Sequence, residues 1–461
     1  MLPKKEKPIF KPFAHQEAFA NLWGDKERVL NFDGCGTGKT LACIHAVKTY
    51  WPDARVLVLA PLSILTPAWT KDLRFGWPET TYAVAAGTAA KKRKAFEGNA
   101  QWVITNHDTV KMIDNEGYAP KFDVLIVDEG DAFRNRTSMR SKSINRIAGD
   151  IEKMALMTGT PSPNTILDIW HLAFLIDRGE RLGKNFFGFR QQVCDPKPIL
   201  GAPAGAMKWE DKAGAADHVT LMLSDITSRV ALDDVQELPE TIYREVTVEL
   251  PKKIRRDYEF LKRESVLALE SGEMLNAVHA GSRMQKLLQT LSGGVYNEDG
   301  SVINVHKERY ELVLDLVEET DHALVAFNWT HQRDGLIAEA KKRKISYAVI
   351  DGDTPSLERN RIVHQFQQGN IHVIFAHPQS AGHGLTLTMA NRVIWASPTY
   401  RADLYEQFNH RIVRTGQQRK TEIIHIAAEE TVEEEVYQKM LNKQMNMIDL
   451  LNTIAGLSQA A

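Results

Sequence analysis

The amino-acid sequence predicts an α/β protein built from two parallel-sheet lobes, with helical insertions between them. Short apolar and β-branched runs alternate with helical stretches, which is the pattern of strand–helix–strand units. The pattern occurs twice, first as VLVLAP, WVITN and VLIVDE, and later as ALVAFN, YAVIDG, VIFAHP, RVIWASP and EIIHIAA. Between the two sets, residues 165–310 read as mostly helical. We therefore predict domains at 1–165, 166–310 and 311–461, of which the middle one packs in part on both lobes.

Composition places the chain among globular proteins. Its 461 residues suffice for about two to four domains. Hydrophobic residues make up 43% and charged residues 25%, values that argue against disorder or a membrane protein. Cys35, Cys43 and Cys194 lack the spacing of metal ligands and cannot all pair, which favours a reducing compartment. No apolar run approaches the length of a bilayer span, so we expect a soluble, intracellular protein without a membrane partner.

Charge is informative through its distribution, because the net charge is only −2. Basic clusters occur at KKEK, KKRK (91–94), RNRTSMRSK (134–142), KKIRR (252–256) and KKRK (341–344). Any one of them is typical of a solvated helix face. Only convergence of several on one groove would indicate a binding site for nucleic acid.

The first chemical motif is DGCGTGKT, residues 33–40. Gly34, Gly36 and Gly38 have no Cβ, so successive backbone N–H groups can point into one concavity. The preceding RVLNF reads as a buried strand and the following KTLACIHAVKTY as a helix, whose N-terminus favours an anion. This context predicts a phosphate-binding loop. The alternative is a glycine-rich turn with an incidental lysine.

The second motif is FDVLIVDEGD, an apolar strand that ends in Asp128 and Glu129. A carboxylate at a neighbouring strand end is what holds Mg²⁺ in nucleoside triphosphatases. Asp128 would then reach the metal through water and Glu129 would act as the base for the attacking water. The alternative is an acidic loop after a buried strand.

The third motif is EQFNHRIVRTGQQRK, near the end of the second set of strands. On a helix, Arg411 and Arg414 share a face, as do Gln407 and Arg411. Two guanidinium groups on one face could stabilise the negative charge of a γ-phosphate during hydrolysis. The alternative is a surface helix with salt bridges.

Taken in order, these motifs resemble those of the superfamily 2 helicase-like ATPases, and within them the Swi/Snf family of DNA translocases. The resemblance runs from about Lys11 to Asn442. KPFAHQ, LAPLSILTPAW, VITNHD, LMTGTPSPN, VAFNWT, IDGDTPSLERNRIVHQF and SAGHGLTLTMANRVIWASPTY are similar to further family motifs, and ETVEEEVYQKMLNK to its closing helix. The family's own phosphate loop begins with Asp, as this one does at Asp33. The resemblance implies two RecA-like lobes that bind ATP and Mg²⁺.

The resemblance also implies roles for individual residues in ATP binding and hydrolysis. Gln16 would contact adenine, Lys39 the β- and γ-phosphates, and Glu129 would be the base. Thr40 and Asp128 would hold Mg²⁺, while Arg411 and Arg414 would act from the second lobe. The remaining nucleotide contacts would be Gly34, Cys35, Gly36, Thr37, Gly38, Gly384 and Gln407.

DNA contacts and coupling residues are implied in the same way. Coupling between the two sites would use Thr158 and Thr160, together with Asp131, which stands where the family usually has His. The absence of that imidazole suggests coupling that is tuned differently. The implied DNA contacts are Pro61, Leu62, Ser63, Thr105, Asn106, Asn328, Trp329, Gly352, Ser380 and Thr386.

The function implied is an ATP-dependent translocase on duplex or branched DNA, with DNA-stimulated ATPase activity and no sequence specificity. One alternative is a helicase that separates or anneals strands. Another is an ATP-gated DNA clamp that hydrolyses ATP only for release. The short insertions suggest a bare motor of a phage or bacterial type, in the cytoplasm, or in the nucleus if eukaryotic. Such a motor is compatible with a separately encoded nuclease, replication or repair partner.

Overall fold

The computed structural model describes residues 10–159, 161, 165–198, 207–235, 238–270, 285–297, 299, 301–381, 385–399, 401–434 and 436–438. Residue contacts divide the chain into two compact units. Of the described residues, those between 10 and 195 and between 211 and 235 belong to the first unit, and those between 196 and 210 and between 238 and 438 belong to the second. The segment predicted as a middle domain is therefore shared between the two units.

The first unit is built on a seven-stranded sheet in the order β3-β4-β2-β5-β6-β1-β9. All its strand pairs are parallel. β2 is buried along its whole length, as expected of a parallel strand covered on both faces. The strands are β1 (Arg28–Asn31), β2 (Val56–Ala60), β3 (Tyr82–Ala85), β4 (Trp102–Asn106), β5 (Val124–Val127), β6 (Lys153–Met157) and β9 (Thr227–Ser228).

Helices connect these strands, and several begin at a polar capping residue. The side chains of Thr88, Ser138 and Asn185 each accept a hydrogen bond from a backbone N–H of the first helical turn. The helices are Ala14–Lys26, Lys39–Tyr50, Lys71–Gly76, Ala89–Glu97, Val110–Asn115, Met139–Asp150, Ile169–Asp177, Phe186–Val193, Ala215–Leu223 and Leu232–Val235.

The second unit contains a six-stranded parallel sheet in the order β10-β17-β16-β13-β15-β14. Its strands are β10 (Thr241–Val248), β13 (Ala323–Ala326), β14 (Tyr347–Ile350), β15 (Val373–Ala376), β16 (Arg392–Trp395) and β17 (Thr421–Ala428). Its helices are Lys252–Glu270, Glu308–Glu318, Thr330–Lys342, Ser356–Gln367, Pro378–Ala381 and Ala402–Asn409, with a further helical stretch at 285–291.

Two small sheets complete the described strands. β7 (Cys194–Pro198) pairs with β8 (Met207–Asp211), and β11 (Gly294–Tyr296) pairs antiparallel with β12 (Val302–Asn304). The prediction of two parallel-sheet α/β lobes is confirmed, and every quoted strand motif of both sets forms a strand. Of the predicted closing helix, residues 432–434 and 436–438 are helical, and the remainder lies outside the described residues.

Residues 165–310 were expected to be mostly helical, and helices do form most of the regular structure among the described residues of this segment, but β7 to β12 also lie here and were not predicted. The clearest case is β10, which pairs with β17 over eight residues. Its sequence, TIYREVTV, is rich in β-branched and aromatic residues, which is a strand signal. The pattern was missed because most of β10 is solvent-exposed and lacks the apolar run of a central strand.

An ion pair lies entirely inside the second unit. Arg309 and Glu433 are both fully buried, and their side chains approach to 2.5 Å. The guanidinium also donates hydrogen bonds to the carbonyls of Leu291, Ala396 and Ile426. The pair therefore joins the helix Glu308–Glu318 to the ends of two central strands and to the C-terminal segment.

Among the described residues, the helices are all too short or too polar to cross a lipid bilayer.

Candidate nucleotide site and nucleic-acid interface

The phosphate loop lies between β1 and the helix Lys39–Tyr50, as predicted. Gly36 and Gly38 have φ angles of 87° and 82°, in the left-handed region that favours glycine. Lys39 folds back over the loop, where its Nζ donates to the carbonyl oxygens of Asp33 at 2.7 Å and Gly34 at 2.9 Å. The loop therefore has the curled backbone and the ammonium group that phosphate binding requires.

Asp33 supports the loop from beneath. Its side chain is buried, and its Oδ1 accepts a hydrogen bond from Ser228 Oγ at 2.9 Å. The Gly34 N–H donates to the Val230 carbonyl at 2.8 Å, and Arg229 donates to the Phe32 carbonyl. Burial raises the pKa of Asp33, against the opposing effect of the Ser228 hydrogen bond. Asp33 thus anchors the loop to a segment that follows almost two hundred residues later.

Gln16 lies directly against this loop and is almost fully buried. Its Nε2 donates to the carbonyls of Thr37 and Gly38 at 3.3 Å each, and its Oε1 accepts from the Phe13 N–H at 3.0 Å. The ring of His15 also contacts the Thr37 carbonyl, at 2.9 Å from Nε2. In this arrangement the Gln16 amide is occupied by protein groups and holds the loop in place.

Asp128 follows the last residue of β5 and is 6% exposed. Its Oδ2 accepts a hydrogen bond from Trp69 Nε1 at 2.9 Å, and its Oδ1 accepts from the Glu129 N–H at 3.0 Å. Burial, followed by the adjacent Glu129 carboxylate, raises the pKa of Asp128 to about 7, and the Lys39 ammonium opposes this rise. A bound divalent cation would favour the ionised carboxylate.

The backbone at Glu129 turns sharply, with φ of 49° and ψ of 57°. This conformation is unfavourable for a residue with a side chain and is found at functional sites. The next residue must be glycine, because a Cβ on Gly130 would lie 2.4 Å from Leu156 Cδ2. The strained turn begins directly after Asp128, at the end of β5.

The coupling residues are placed only in part. Asp131 forms an ion pair with Arg134, in which Oδ2 of Asp131 lies 3.7 Å from Nη1 of Arg134. Thr158 is fully buried after β6, and its N–H donates to the Asn31 carbonyl at 3.0 Å. Thr160 lies outside the described residues. Thr40 occupies the first turn of the helix Lys39–Tyr50, and Cys35 and Thr37 lie in the loop itself.

Sequence reasoning missed two residues that hold Asp128. Trp69 binds the carboxylate, and His107 contacts the Asp128 carbonyl at 2.7 Å from Nε2. Because the partner is a carbonyl, that ring nitrogen is the donor. His107 also packs edge-on against the ring of Phe133, 5.1 Å between centroids. Both residues stand within quoted motifs, LAPLSILTPAW and VITNHD, which was the available signal.

In the second unit, Arg411 and Arg414 are close together, but the predicted helix is wrong. The helix ends at Asn409, and both arginines lie on the turns that follow. After Asn409 the hydrogen bonds change to those of tight turns, with the Arg411 N–H donating to the Phe408 carbonyl and the Ile412 N–H to the Asn409 carbonyl, while the Arg411 carbonyl accepts from the Leu387 N–H at 2.9 Å. Asn409 is also held, through its Oδ1, by the Trp395 indole.

A shared acceptor brings the two guanidinium groups together instead. Nη1 of Arg411 and Nη1 of Arg414 both donate to the Leu385 carbonyl, at 3.1 and 2.8 Å. Arg411 is 7% exposed, and its Nε donates to the carbonyl of the buried Gln407. Arg414 is the more accessible of the pair. Gly384, the adjacent predicted contact, lies outside the described residues.

The predicted DNA contacts in the first unit differ in accessibility. Pro61, Leu62 and Ser63 follow β2, and Leu62 is 59% exposed. Thr105 is fully buried, and its hydroxyl donates to the Ala85 carbonyl at 2.7 Å, which indicates a packing role. Asn106 is half-buried, and its Oδ1 accepts from Thr109 and Lys92.

In the second unit, the predicted contacts follow the ends of the strands. Asn328 is half-buried, and its side-chain amide donates to the Ser397 and Pro398 carbonyls. The ring of Trp329 stacks on the ring of His331, with 5.9 Å between the ring centroids. Gly352 is exposed and has open space at its Cβ position. The remaining two, Ser380 and Thr386, are half-buried.

Two of the basic clusters are ion-paired helix faces. Arg93, in the cluster at 91–94, pairs with Glu116 at 2.7 Å. Arg343, in the cluster at 341–344, pairs with Asp315, Glu318 and Glu339. These clusters match the solvated-face interpretation rather than a binding groove.

The cluster at 134–142 contributes Arg136 to a basic surface whose other members, Phe186, Phe187 and Arg190, were not predicted. The Arg136 guanidinium lies 4.5 Å from the ring centroid of Phe186 and 5.0 Å from that of Phe187. Arg190 lies 5.1 Å from the Phe187 ring, which is 51% exposed. The cluster combines positive charge with an exposed aromatic ring, the two features of single-strand and backbone contacts.

Comparison with known proteins agrees with the fold and the motif order. A model of the SNF2-related domain matches residues 19–293, and one of the helicase conserved C-terminal domain matches residues 308–419. Together these features define a helicase-like ATPase. The first match covers more than half of the chain, which therefore belongs to the SNF2 family within superfamily 2.

Individual relatives are similar over most of the chain. Protein p41 of Acyrthosiphon pisum secondary endosymbiont phage 1 is 29% identical over 94% of this chain and 96% of its own length. An uncharacterized ATP-dependent helicase of Mycoplasma genitalium is 24% identical over 89% of this chain, which spans 39% of that protein. Protein CHROMATIN REMODELING 24 of Arabidopsis thaliana is 24% identical over 89% of this chain, which spans 43% of it. Apart from the phage protein, these relatives are more than twice as long as the part they share with this chain.

Proposed function

We propose that this protein is an ATP-dependent DNA translocase, which hydrolyses ATP to ADP and phosphate to move along duplex or branched DNA. Membership of the SNF2 family carries the ATPase part of the proposal. One observation supports ATP hydrolysis: the first unit contains both a curled phosphate loop covered by Lys39 and a buried carboxylate, Asp128, held by Trp69. The DNA part rests on the motif resemblance and on the exposed groups that follow the strands.

The donor set of the first unit fits a Mg²⁺–nucleotide complex. Among the described residues, no group of three or more His, Cys, Asp or Glu side chains could hold a metal by itself. Mg²⁺ rarely needs one, since it is usually held by one or two carboxylates together with substrate phosphates and waters. Asp128 and the Thr40 hydroxyl would supply the protein oxygens, and the cation would neutralise charge on the phosphates.

The residues of this chain then divide the work of hydrolysis. Lys39 exchanges its two carbonyl partners for phosphate oxygens, and the loop N–H groups hold the remaining charge. Glu129 accepts the proton of the attacking water, from a position fixed by its strained turn. Trp69 and His107 keep Asp128 in place. Arg414, and Arg411 behind it, stabilise the charge that develops on the γ-phosphate during turnover.

DNA binding in this proposal is carried by backbone contacts without sequence specificity. Phosphate contacts position a protein on DNA but carry little sequence information. The exposed Leu62 turn, Gly352 and the cluster of Arg136, Phe187 and Arg190 are the accessible candidates on the two units. A partner such as a separately encoded nuclease or repair protein would supply any activity beyond movement.

Three DNA substrates test the proposal against a helicase and a clamp. On linear duplexes, the ATPase rate of a translocase rises with DNA length until the motor rarely reaches an end. A third strand annealed in the major groove should be displaced, whereas a forked duplex should be separated weakly or not at all. The Lys39→Ala protein is the control for ATP dependence.

Two outcomes would reject the translocase. Rapid separation of the fork would establish a strand-separating helicase. Turnover that is independent of DNA length, without displacement of the third strand, would establish an ATP-gated clamp.

A further inference from the structure

A groove lies along the free edge of the large sheet in the second unit, at β14. It has a volume of about 770 Å³ and follows this strand between the helix Thr330–Lys342 and the helix Ser356–Gln367. β14 stands last in the order of its sheet, and β15 is its one partner among the described strands. We call this feature the edge groove. Its apolar lining includes Ile337, Ile345, Tyr347, Val349, Ile362 and Ile371.

Half of the backbone groups of β14 point into the edge groove. The carbonyls of Ser346 and Ile350 accept hydrogen bonds from backbone N–H groups at and just after β15, so the even-numbered residues of the strand face β15. Tyr347 and Val349 therefore direct their N–H and C=O groups outward. Within the described part of the chain, the group that approaches them is Thr354 Oγ1, at a long 3.5 Å from the Val349 carbonyl.

This edge lacks the features that usually protect a free strand. Exposed edges are commonly blocked by charged side chains, by proline or by a bulge. β14 reads Tyr-Ala-Val-Ile, and all four residues pair in register with β15. An unprotected edge with outward backbone groups is a template on which an extended peptide can add as a further strand.

The two helices give an added strand two walls for its side chains. Tyr347 and Val349 pack in the same apolar cluster as the helix Thr330–Lys342, whereas Ala348 packs with the other helix. Side chains of a strand alternate between its two faces, so those of an added strand would meet the two walls in turn. On the first wall Ile337 and Ile345 are only half-buried, which leaves apolar surface for contact.

The lining of the edge groove is acidic. Its charged members are Asp334, Asp351, Asp353, Glu358 and Arg333, which give four carboxylates against one guanidinium. Arg333 bonds to Asp334 and to Asp351 at 2.9 Å each, so its charge is already compensated. Asp353 and Glu358 are exposed, and Glu358 lies 3.5 Å from the equally exposed Arg361. Such a surface attracts a positively charged chain and repels both DNA phosphates and a second copy of the same groove.

We propose that the edge groove binds an extended, basic segment of a partner protein, which adds to the sheet as a strand beside β14. Hydrogen bonds to the outward backbone groups of Tyr347 and Val349 supply affinity, and alternate apolar side chains of the segment rest on Ile337 and Ile345. Basic side chains of the segment face Asp353 and Glu358. This inference goes beyond the proposed translocase activity and does not depend on it.

Selection from a library of random nine-residue peptides displayed on phage, with the full chain as target, tests the proposal. The enriched peptides should carry lysine or arginine and should place apolar residues at every second position. A synthetic copy of one such peptide should bind saturably in fluorescence anisotropy. Asp353→Asn with Glu358→Gln should weaken its binding about fivefold, as expected for two exposed ion pairs. Asp321→Asn with Glu429→Gln is the matched control, since both carboxylates are exposed on the same unit outside the groove.

Amide hydrogen exchange, read residue by residue by NMR, reports strand addition directly. With the peptide at about ten times its Kd, the outward N–H groups of Tyr347 and Val349 should exchange about tenfold more slowly, because about one chain in eleven remains free. The N–H groups of Ala348 and Ile350, which face β15, should change less. The same peptide with N-methyl groups at alternate residues should lose its binding, because it keeps the charge but cannot pair as a strand.

The proposal is overturned if no peptide is enriched, if the enriched peptides are not basic, or if the two outward amides exchange at unchanged rates. Binding that is equally tight to the Asp353→Asn, Glu358→Gln protein would also overturn it. Protection of the two amides before any peptide is added would assign the groove to a second copy of this chain if it depends on protein concentration. If it does not, a segment of the same chain is the occupant, and either result excludes the partner.

Discussion

At the scale of single residues, the proposed nucleotide site uses different residues to neutralise phosphate charge and to activate water. Lys39 covers the loop where phosphate would lie, whereas Glu129 stands on a strained turn beside the buried Asp128. Trp69 donates to the Asp128 carboxylate and His107 donates to the Asp128 carbonyl, so both residues hold Asp128 in position. This division predicts different defects for different substitutions.

Lys39→Ala should abolish nucleotide turnover and weaken ATP binding, because the ammonium group neutralises phosphate charge. Glu129→Gln should bind ATP nearly normally and fail to hydrolyse it, since the amide cannot accept the proton of water. Binding of a fluorescent ATP analogue and release of phosphate measure the two effects separately. Near-normal hydrolysis by the Glu129→Gln protein would remove that residue from the role of base.

Arg414→Ala should lower kcat by about 10³-fold or more while changing ATP affinity little, since its charge is needed only in the transition state. Arg361→Ala is the matched control, because Arg361 is an exposed arginine on a surface helix. Steady-state ATPase assays with DNA present measure both. If Arg414→Ala hydrolyses ATP at the control rate, the arginine serves only to brace the Leu385 carbonyl.

At the scale of secondary-structure elements, distant segments complete each sheet. The segment around Ser228 extends the first sheet and anchors the phosphate loop through Asp33. In the second unit, β10 extends the sheet beside β17. The buried pair of Arg309 and Glu433 ties the C-terminal segment to the strands.

The buried ion pair of Arg309 and Glu433 should contribute to the free energy of unfolding of the second unit. Glu433→Leu should lower the free energy of unfolding of the second unit by about 3–5 kcal/mol, because it leaves the Arg309 charge buried without a partner. The double variant Arg309→Met with Glu433→Leu should recover most of that loss. Urea unfolding followed by fluorescence, with the buried Trp395 as a reporter in this unit, measures both.

A double variant no more stable than Glu433→Leu alone would contradict this account. It would show that the carbonyl hydrogen bonds of Arg309, rather than the pairing of charge, hold these segments together.

At the scale of the whole molecule, DNA binding without sequence specificity should depend on ionic strength. The logarithm of the association constant should fall linearly with the logarithm of salt concentration, with a slope of about −0.9 per phosphate neutralised on duplex DNA. Two duplexes of equal length and unrelated sequence should give the same slope and affinity. Fluorescence anisotropy across a salt series measures this. Affinity that is independent of salt would exclude binding through the phosphate backbone.

Much of the fold could be predicted because its signals are local. Each central strand is a short apolar run, and the phosphate loop is marked by glycines at fixed spacing between a strand and a helix. β10 was missed because an exposed edge strand lacks that apolar run, although its β-branched residues were visible. The two arginines lie close together as expected, but on turns and not on a helix, and tertiary contacts with residues 385–387 hold them there.

The sequence by itself determined the α/β class and the order of the family motifs, and it singled out Lys39, Asp128, Glu129 and the two arginines as candidates for the chemistry. Residue type and spacing along the chain suffice for these, because a phosphate loop or a strand end is made of neighbouring residues. Only the tertiary structure decided what supports them. Ser228 reaches Asp33 across 195 residues, and Trp69 reaches Asp128 across 59. Such contacts depend on which strands become neighbours in a sheet, and no local pattern specifies that.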